Sequence, residues 1–228
     1  MADRAATKLA GGPPLEDTAA EGTTVEALAT KSARSRQRIL DSAARVFRQQ
    51  GNTARLCDIA ADAGMQTGSL YYHFDGRDSL VEEVLRLGIE RTSSHVRLAL
   101  EAAPANASAG QQLETAVRAH AEAILESSDY CAANSRLFAL ACPEVRDRHY
   151  LLQQEYGDFF HRLIAAAVVS GELRAEIDPA VVRMLLFGAM NWTAEWYRPD
   201  SGRSAAQVID ELVALVFRGL GAAEPGRA

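Results

Sequence analysis

The sequence predicts an all-α fold of about nine helices: an N-terminal three-helix head with a helix-turn-helix, followed by a larger helical body. From Ser35 onward the apolar residues recur three and four apart almost without interruption, and no stretch alternates as a half-buried strand does. The runs break at Gly51, Gly64, Pro104, Pro143, Gly171 and Pro199, residues of the two types that punctuate helices. With 228 residues the chain can bury a core without help from disulfides or metals.

Residues 1–33 are rich in Ala, Thr, Gly, Pro and acid, and so poor in large apolar side chains that a disordered arm is expected there. The head spans residues 34–94. Its first helix carries Ile39, Ala43, Val46 and Phe47 and stops at Gly51. A short second helix with Leu56, Ile59, Ala60 and Ala63 stops at Gly64, and a third runs from near Thr67 to Phe74. Asp75 to Asp78 opens a fourth helix with Leu80, Val84, Leu87 and Ile89, which continues to Pro104. The body, residues 95–228, should hold helices over about 109–127, 130–141, 144–170, 178–197 and 204–220. Asp178-Pro179 has the form of a cap with proline at the first helical position.

The net charge of −6 argues against a nucleic-acid partner only if it is read globally. Residues 31–80 hold eight Lys or Arg against five Asp, while the segments on either side are acidic. A basic head on an acidic body is the charge pattern of a small DNA-reading module. No apolar run is long enough to span a membrane and no leader peptide is apparent at Met1, so a cytoplasmic protein is expected. Cys57, Cys131 and Cys142 lack metal-ligand spacing, as do the histidines, so no metal or other cofactor is expected. No serine-histidine-acid set, phosphate loop or dinucleotide glycine pattern is visible, and an enzyme is not expected.

Residues 56–74, LCDIAADAGMQTGSLYYHF, carry the functional reading. Two short helices are joined by Gly64-Met65-Gln66, with glycine where the chain must turn left-handed. Leu70 and Phe74 fix the buried side of the third helix, so Ser69 and Tyr72 should project outward. The remaining residues are small or polar-tipped, as suits a helix that offers donors and acceptors to base edges in a major groove. An ordinary helical hairpin with a polar face would share much of this spacing.

The stretches RQRILDSAARVFRQQG and DIAADAGMQTGSLYYHFDGRDSLVEEVL resemble the DNA-binding domain of the tetracycline-repressor (TetR) family over residues 35–87. The resemblance implies a homodimer on a palindromic double-stranded DNA operator, with a body that binds a small effector and releases the DNA. It also implies that Gln66, Thr67, Gly68 and Ser69 face bases, that Tyr71 and His73 contact phosphates, and that Tyr72 meets a thymine methyl. Arg77 falls where the family has a phosphate-binding lysine. Three departures stand out. Arg55 replaces the usual Ser or Thr cap, which makes it a candidate extra phosphate contact; Cys57 replaces a polar or basic residue; and the connection from Gly51 to Ile59 is one residue short.

In the body, LLFGAMNWTAEWYRPDSG at 185–202 is similar to a subgroup of these repressors linked to lipid and steroid catabolism, which implies an acyl-CoA thioester as effector. Phe138, Arg146, His149, Tyr156 and Phe160 are candidate pocket residues, although such a stripe also suits a core. Trp192 and Trp196 share one helical face and read either as core or dimer packing or as a ligand wall. The last two helices are apolar over broad faces, as a four-helix dimer interface requires. Two other readings stay open: a regulator that senses oxidants through Cys57, Cys131 or Cys142, and a helical enzyme or scaffold with a vestigial helix-turn-helix.

Overall fold

The computed structural model describes residues 18–127, 129–138 and 141–221. These contain nine α-helices and no strand: α1 Thr18–Gln50, α2 Leu56–Asp62, α3 Thr67–Tyr71, α4 Arg77–Ala102, α5 Ala109–Glu122, α6 Asp129–Phe138, α7 Pro143–Val169, α8 Pro179–Trp196 and α9 Ala205–Leu220. Of the expected disordered arm at 1–33, only residues 18–33 are described. Residues 1–17 lie outside the described residues, and 18–33 are helical where disorder is expected. Ala19, Ala20, Glu21 and the run 25–29 are mostly good helix formers, and adding a turn to an existing helix needs no new nucleus.

Residues 39–221 build two cores. In the first, Ile39, Ala43 and Phe47 of α1 meet Ile59, Leu70, Phe74 and the Leu80–Leu85 stretch of α4, with Tyr130, Ala133 and Leu137 of α6 closing the far side. The second gathers Ile89 and Val96 of α4 with Leu113 and Val117 of α5, Phe160 and Ile164 of α7, Leu186 and Met190 of α8, and Ile209 and Val213 of α9. Helix α4 belongs to both and runs unbroken past residue 94, where the sequence suggests a boundary. Between its two apolar stretches lies Gly88. A Cβ there would stand 2.9 Å from the Tyr130 carbonyl oxygen, so glycine sets how closely α4 and α6 approach.

The helix ends follow from local chemistry. After α7, Gly171 at φ 77° lets its own N–H reach the Val168 carbonyl (3.0 Å) while the Glu172 N–H reaches that of Ala167 (3.1 Å). Asp178 caps α8 by accepting from the Ala180 N–H at 2.8 Å, and Ser108 and Ser204 cap α5 and α9 with glutamine three residues on. The helix expected over 109–127 changes character at Ala123, where a π-helical turn, Ala123–Ser127, follows α5. None of the helices is long and apolar enough to cross a membrane among the described residues.

Candidate functional site

The turn between α2 and α3 is a complete Schellman motif. Gly64 at φ 64° donates to the Ala61 carbonyl at 3.1 Å, and Met65 donates to that of Ala60 at 2.9 Å while its side chain packs on the first core. Ile59 and Ala60 anchor α2, and Leu70 anchors α3. Tyr72 is 82% exposed and Tyr71 58%, with Gln66, Gly68 and Ser69 also exposed and Thr67 and His73 half-buried. The edge of His73 meets Tyr72 at 5.0 Å between ring centroids. Helix α3 ends at Tyr71 rather than at Phe74. The chain still coils, because the His73 and Phe74 amides both reach the Leu70 carbonyl at 2.9 Å. All seven residues read between 66 and 73 thus reach solvent around one buried leucine, five of them exposed and two half-buried, and nothing within 4 Å crowds Gly68.

The short connection before α2 is accommodated by a 3-10 turn, Gly51–Thr53, with Ala54 buried beneath it. Arg55 stands at the N-cap position without a side-chain acceptor, so the cap is made from the opposite direction. Asp58 accepts the Arg55 backbone N–H at 3.2 Å and its guanidinium at 3.1 and 3.0 Å, and this pairing holds the Asp58 carboxyl below its usual range. Arg55 is exposed and already paired. Arg77 is half-buried. Its guanidinium lies 5.5 Å from the Phe47 ring centroid and points at Asn52 and the Ala54 carbonyl, so it braces the 3-10 turn from below. Farther back, Arg45 pairs with Asp62 at 2.7 Å and Arg48 with Asp129 at 2.7 Å.

A second feature lies in the body: a cavity of about 570 Å³ between α4, α6, α7 and α8, with the π-helical turn contributing Ile124. Of the expected pocket residues, Phe138 and Tyr156 line it. The other five do not, and Phe160 is fully buried in the second core. Arg146 is exposed on α7, and His149 sits buried behind Phe138, with its Nε2 3.3 Å from Asn134 Oδ1. Trp192 and Trp196 are 65% and 48% exposed on the outer side of α8. On α8 the cavity is lined by Arg183, Met184, Phe187, Gly188 and Asn191, and neither tryptophan is in that lining. His120 of α5, which the sequence reading passed over, occupies the wall, with Nδ1 3.0 Å from the Tyr156 hydroxyl and its ring stacked on Phe187. Burial pushes its pKa down to about 4, against a hydrogen bond to Asn191 that favours the charged form. Cys131 is buried in the wall, 3.1 Å from Thr92 Oγ1.

An all-α chain with a helix-turn-helix whose second helix is buried on one side and polar and exposed on the other is a DNA-binding protein of the helix-turn-helix class. Residues 39–84 match the family described as bacterial regulatory proteins, tetR family, and residues 106–220 match the tetracyclin repressor-like C-terminal domain. The chain belongs to the TetR family of transcriptional regulators. It is similar to the HTH-type transcriptional repressor KstR2 of Rhodococcus jostii (strain RHA1), with 29% identity over 91% of this chain and 96% of that one. Its fold is shared with a ketosteroid transcriptional regulator, KstR2 of Mycobacterium tuberculosis, at a TM-score of 0.72 and 23% identity over 82% of this chain and 95% of that one. It is shared too with AibR in complex with isovaleryl coenzyme A and operator DNA, at a TM-score of 0.73 and 22% identity over 80% of this chain and 98% of that one.

Proposed function

We propose that the protein is a homodimeric transcriptional repressor that binds a palindromic operator through α3 and leaves it when a small effector, an acyl-CoA thioester, occupies the body cavity. The observation that carries this reading is the pairing of an exposed, polar-tipped α3 seated on Leu70 with a walled cavity whose lining includes α4, the helix that also enters the core beneath α3. The effector class is supported by the likeness to KstR2 proteins and to the AibR complex. Gln66, Thr67, Gly68 and Ser69 face bases; Tyr71, His73, Arg55 and Arg77 serve phosphates. For the last two, that role means exchanging the Asp58 and Asn52 contacts for a phosphate oxygen. The test is selection of bound sequences from random duplexes by the full chain, followed by release assays with a panel of acyl-CoAs. Recovery of no palindrome would sink the operator, and a panel that releases nothing would sink the effector class.

Tyr72→Ala is expected to lower discrimination at one base pair per half-site by about 1–3 kcal/mol, with binding to random DNA nearly unchanged. Titrations on the selected operator, its single-base variants and random duplex measure this. Equal weakening on every duplex would show that Tyr72 serves the backbone instead.

The dimer interface lies on α8 and α9. Val181, Met184, Leu185, Trp192, Trp196 and Leu215 are large apolar side chains left about half or more exposed, five of them at helical spacing along α8. A stripe of this kind on a soluble chain marks an association surface. Sedimentation at micromolar concentration should show a species of twice the chain mass, which Trp192→Glu converts to single chains. A wild-type sample holding only single chains would count against the dimer.

A further inference from the structure

Arg183 has no visible reason to be where it is. It stands on α8 in the cavity wall, and its Nε is buried without a hydrogen-bond partner among the described residues. A guanidinium keeps its charge at any ordinary pH, and a buried donor left unpaired costs stability. The fold nevertheless makes room for it: a Cβ on Gly157 of α7 would collide with Nη1 of Arg183, so the head group lies in space that any other residue at 157 would fill. Among the described residues the surrounding wall is apolar or neutral, with Ile89, Ile124, Phe138 and Phe187 beside Asn134 and Asn191, and Asp158 is the one carboxylate in the lining. His120 adds no charge near neutrality.

We propose that Arg183 is an oxyanion anchor in the cavity: it pairs with a carboxylate or phosphate carried by an otherwise apolar ligand, whose hydrocarbon part lies against Phe138, Phe187 and Ile89. Guanidinium forks match both oxyanions, and such charge-assisted bonds are the strong ones in a partly dry site. A cavity of about 570 Å³ falls in the size range of small-ligand sites. The proposal rests on the reading of this cavity as the effector site.

The experiment uses the full chain and compares decanoate, decyl phosphate, decanoyl-CoA and the neutral decanol, by calorimetric titration and by release of the selected operator. Wild type should prefer at least one of the anionic probes to decanol by roughly tenfold to a hundredfold. Arg183→Gln should abolish that preference while leaving decanol affinity, operator affinity and Tm at or above wild-type values, since an unpaired buried donor is removed. Gly157→Ala should weaken anion binding in the same direction by displacing the head group. A preference for decanoate over decyl phosphate names a free carboxylate as the natural group, and the reverse, shared with decanoyl-CoA, names the phosphates of a thioester. Anion preference that survives Arg183→Gln would overturn the anchor while leaving the effector site standing. Arg183-dependent binding that never releases operator would keep the anchor and overturn the effector reading, and no binding of any probe would overturn both.

Discussion

Leu70→Ala should lower the stability of the protein by about 2–5 kcal/mol, the range for emptying a buried leucine site. For a chain of this size that is a fall in Tm of roughly 4–20 °C. The size of the effect follows from position: Leu70 is 2% exposed, and it is the one buried residue of a five-residue helix. Helix α3 is too short to persist on its own hydrogen bonds, so its seat in the first core is what holds it at all. Ser69→Ala, one residue back and exposed, should stay within about 0.5 kcal/mol of wild type. Thermal melts of the two variants decide the orientation of α3. A Leu70→Ala protein that melts like wild type would mean that a different face is buried.

The second large effect is acid sensitivity. His120 and His149 are both buried, and burial holds each near pKa 4, whereas in the unfolded chain they titrate near 6.5. As pH falls below the unfolded value the unfolded state takes up protons that the folded state refuses. Stability is therefore complete above about pH 6.5 and is lost progressively down to about pH 4, where both states are charged. By pH 5 each histidine should have removed about 2 kcal/mol, so the pair removes about 4. Asp58, Glu82 and Glu172 are held below their usual range by Arg55, Arg148 and Ser108 respectively, so what they contribute is lost mainly below their unfolded values of about 4, under the pH 5 end of the comparison. Urea unfolding midpoints at about pH 7.5 and pH 5 measure the loss, and His149→Gln should roughly halve it. Equal midpoints at the two pH values would mean that neither histidine is buried as a neutral ring.

Much of the head was legible because each of its signals is local. Gly64 followed by Met65 is a helix stop whose two hydrogen bonds lie within six residues, and Leu70 flanked by small or polar residues leaves one choice of buried face. The Gly51–Ile59 connection was less so. Its shortness was visible, but the remedy, a 3-10 turn braced by Arg77, depends on a contact across twenty-five residues. The body shows the same limit. The spacing of Phe138 and Tyr156 placed them on inward faces, yet the cavity is made where several helices fail to close, and no single helix encodes that gap. Arg146, His149, Phe160, Trp192 and Trp196 fall outside the lining for this reason: each is on a helix that borders the cavity, at an angle that only the neighbouring helices determine. Arg183 did leave a trace, a lone cation within the apolar run 179–196, which gains meaning only beside Gly157.

Gly88 has a mechanical consequence. It brings α4 against α6 near the middle of the helix, leaving about 17 Å on the Arg77 side and about 21 Å on the Ala102 side. A helix whose closest approach to its neighbour is at one interior point pivots there more easily than it slides, and a tilt sends its two ends in opposite directions. Five degrees of tilt would move the Arg77 end by roughly 1.5 Å, enough to carry a donor out of hydrogen-bond range of a phosphate. Gly88→Ala should move the fulcrum itself, because the added methyl can be housed only by prising α4 away from the Tyr130 carbonyl.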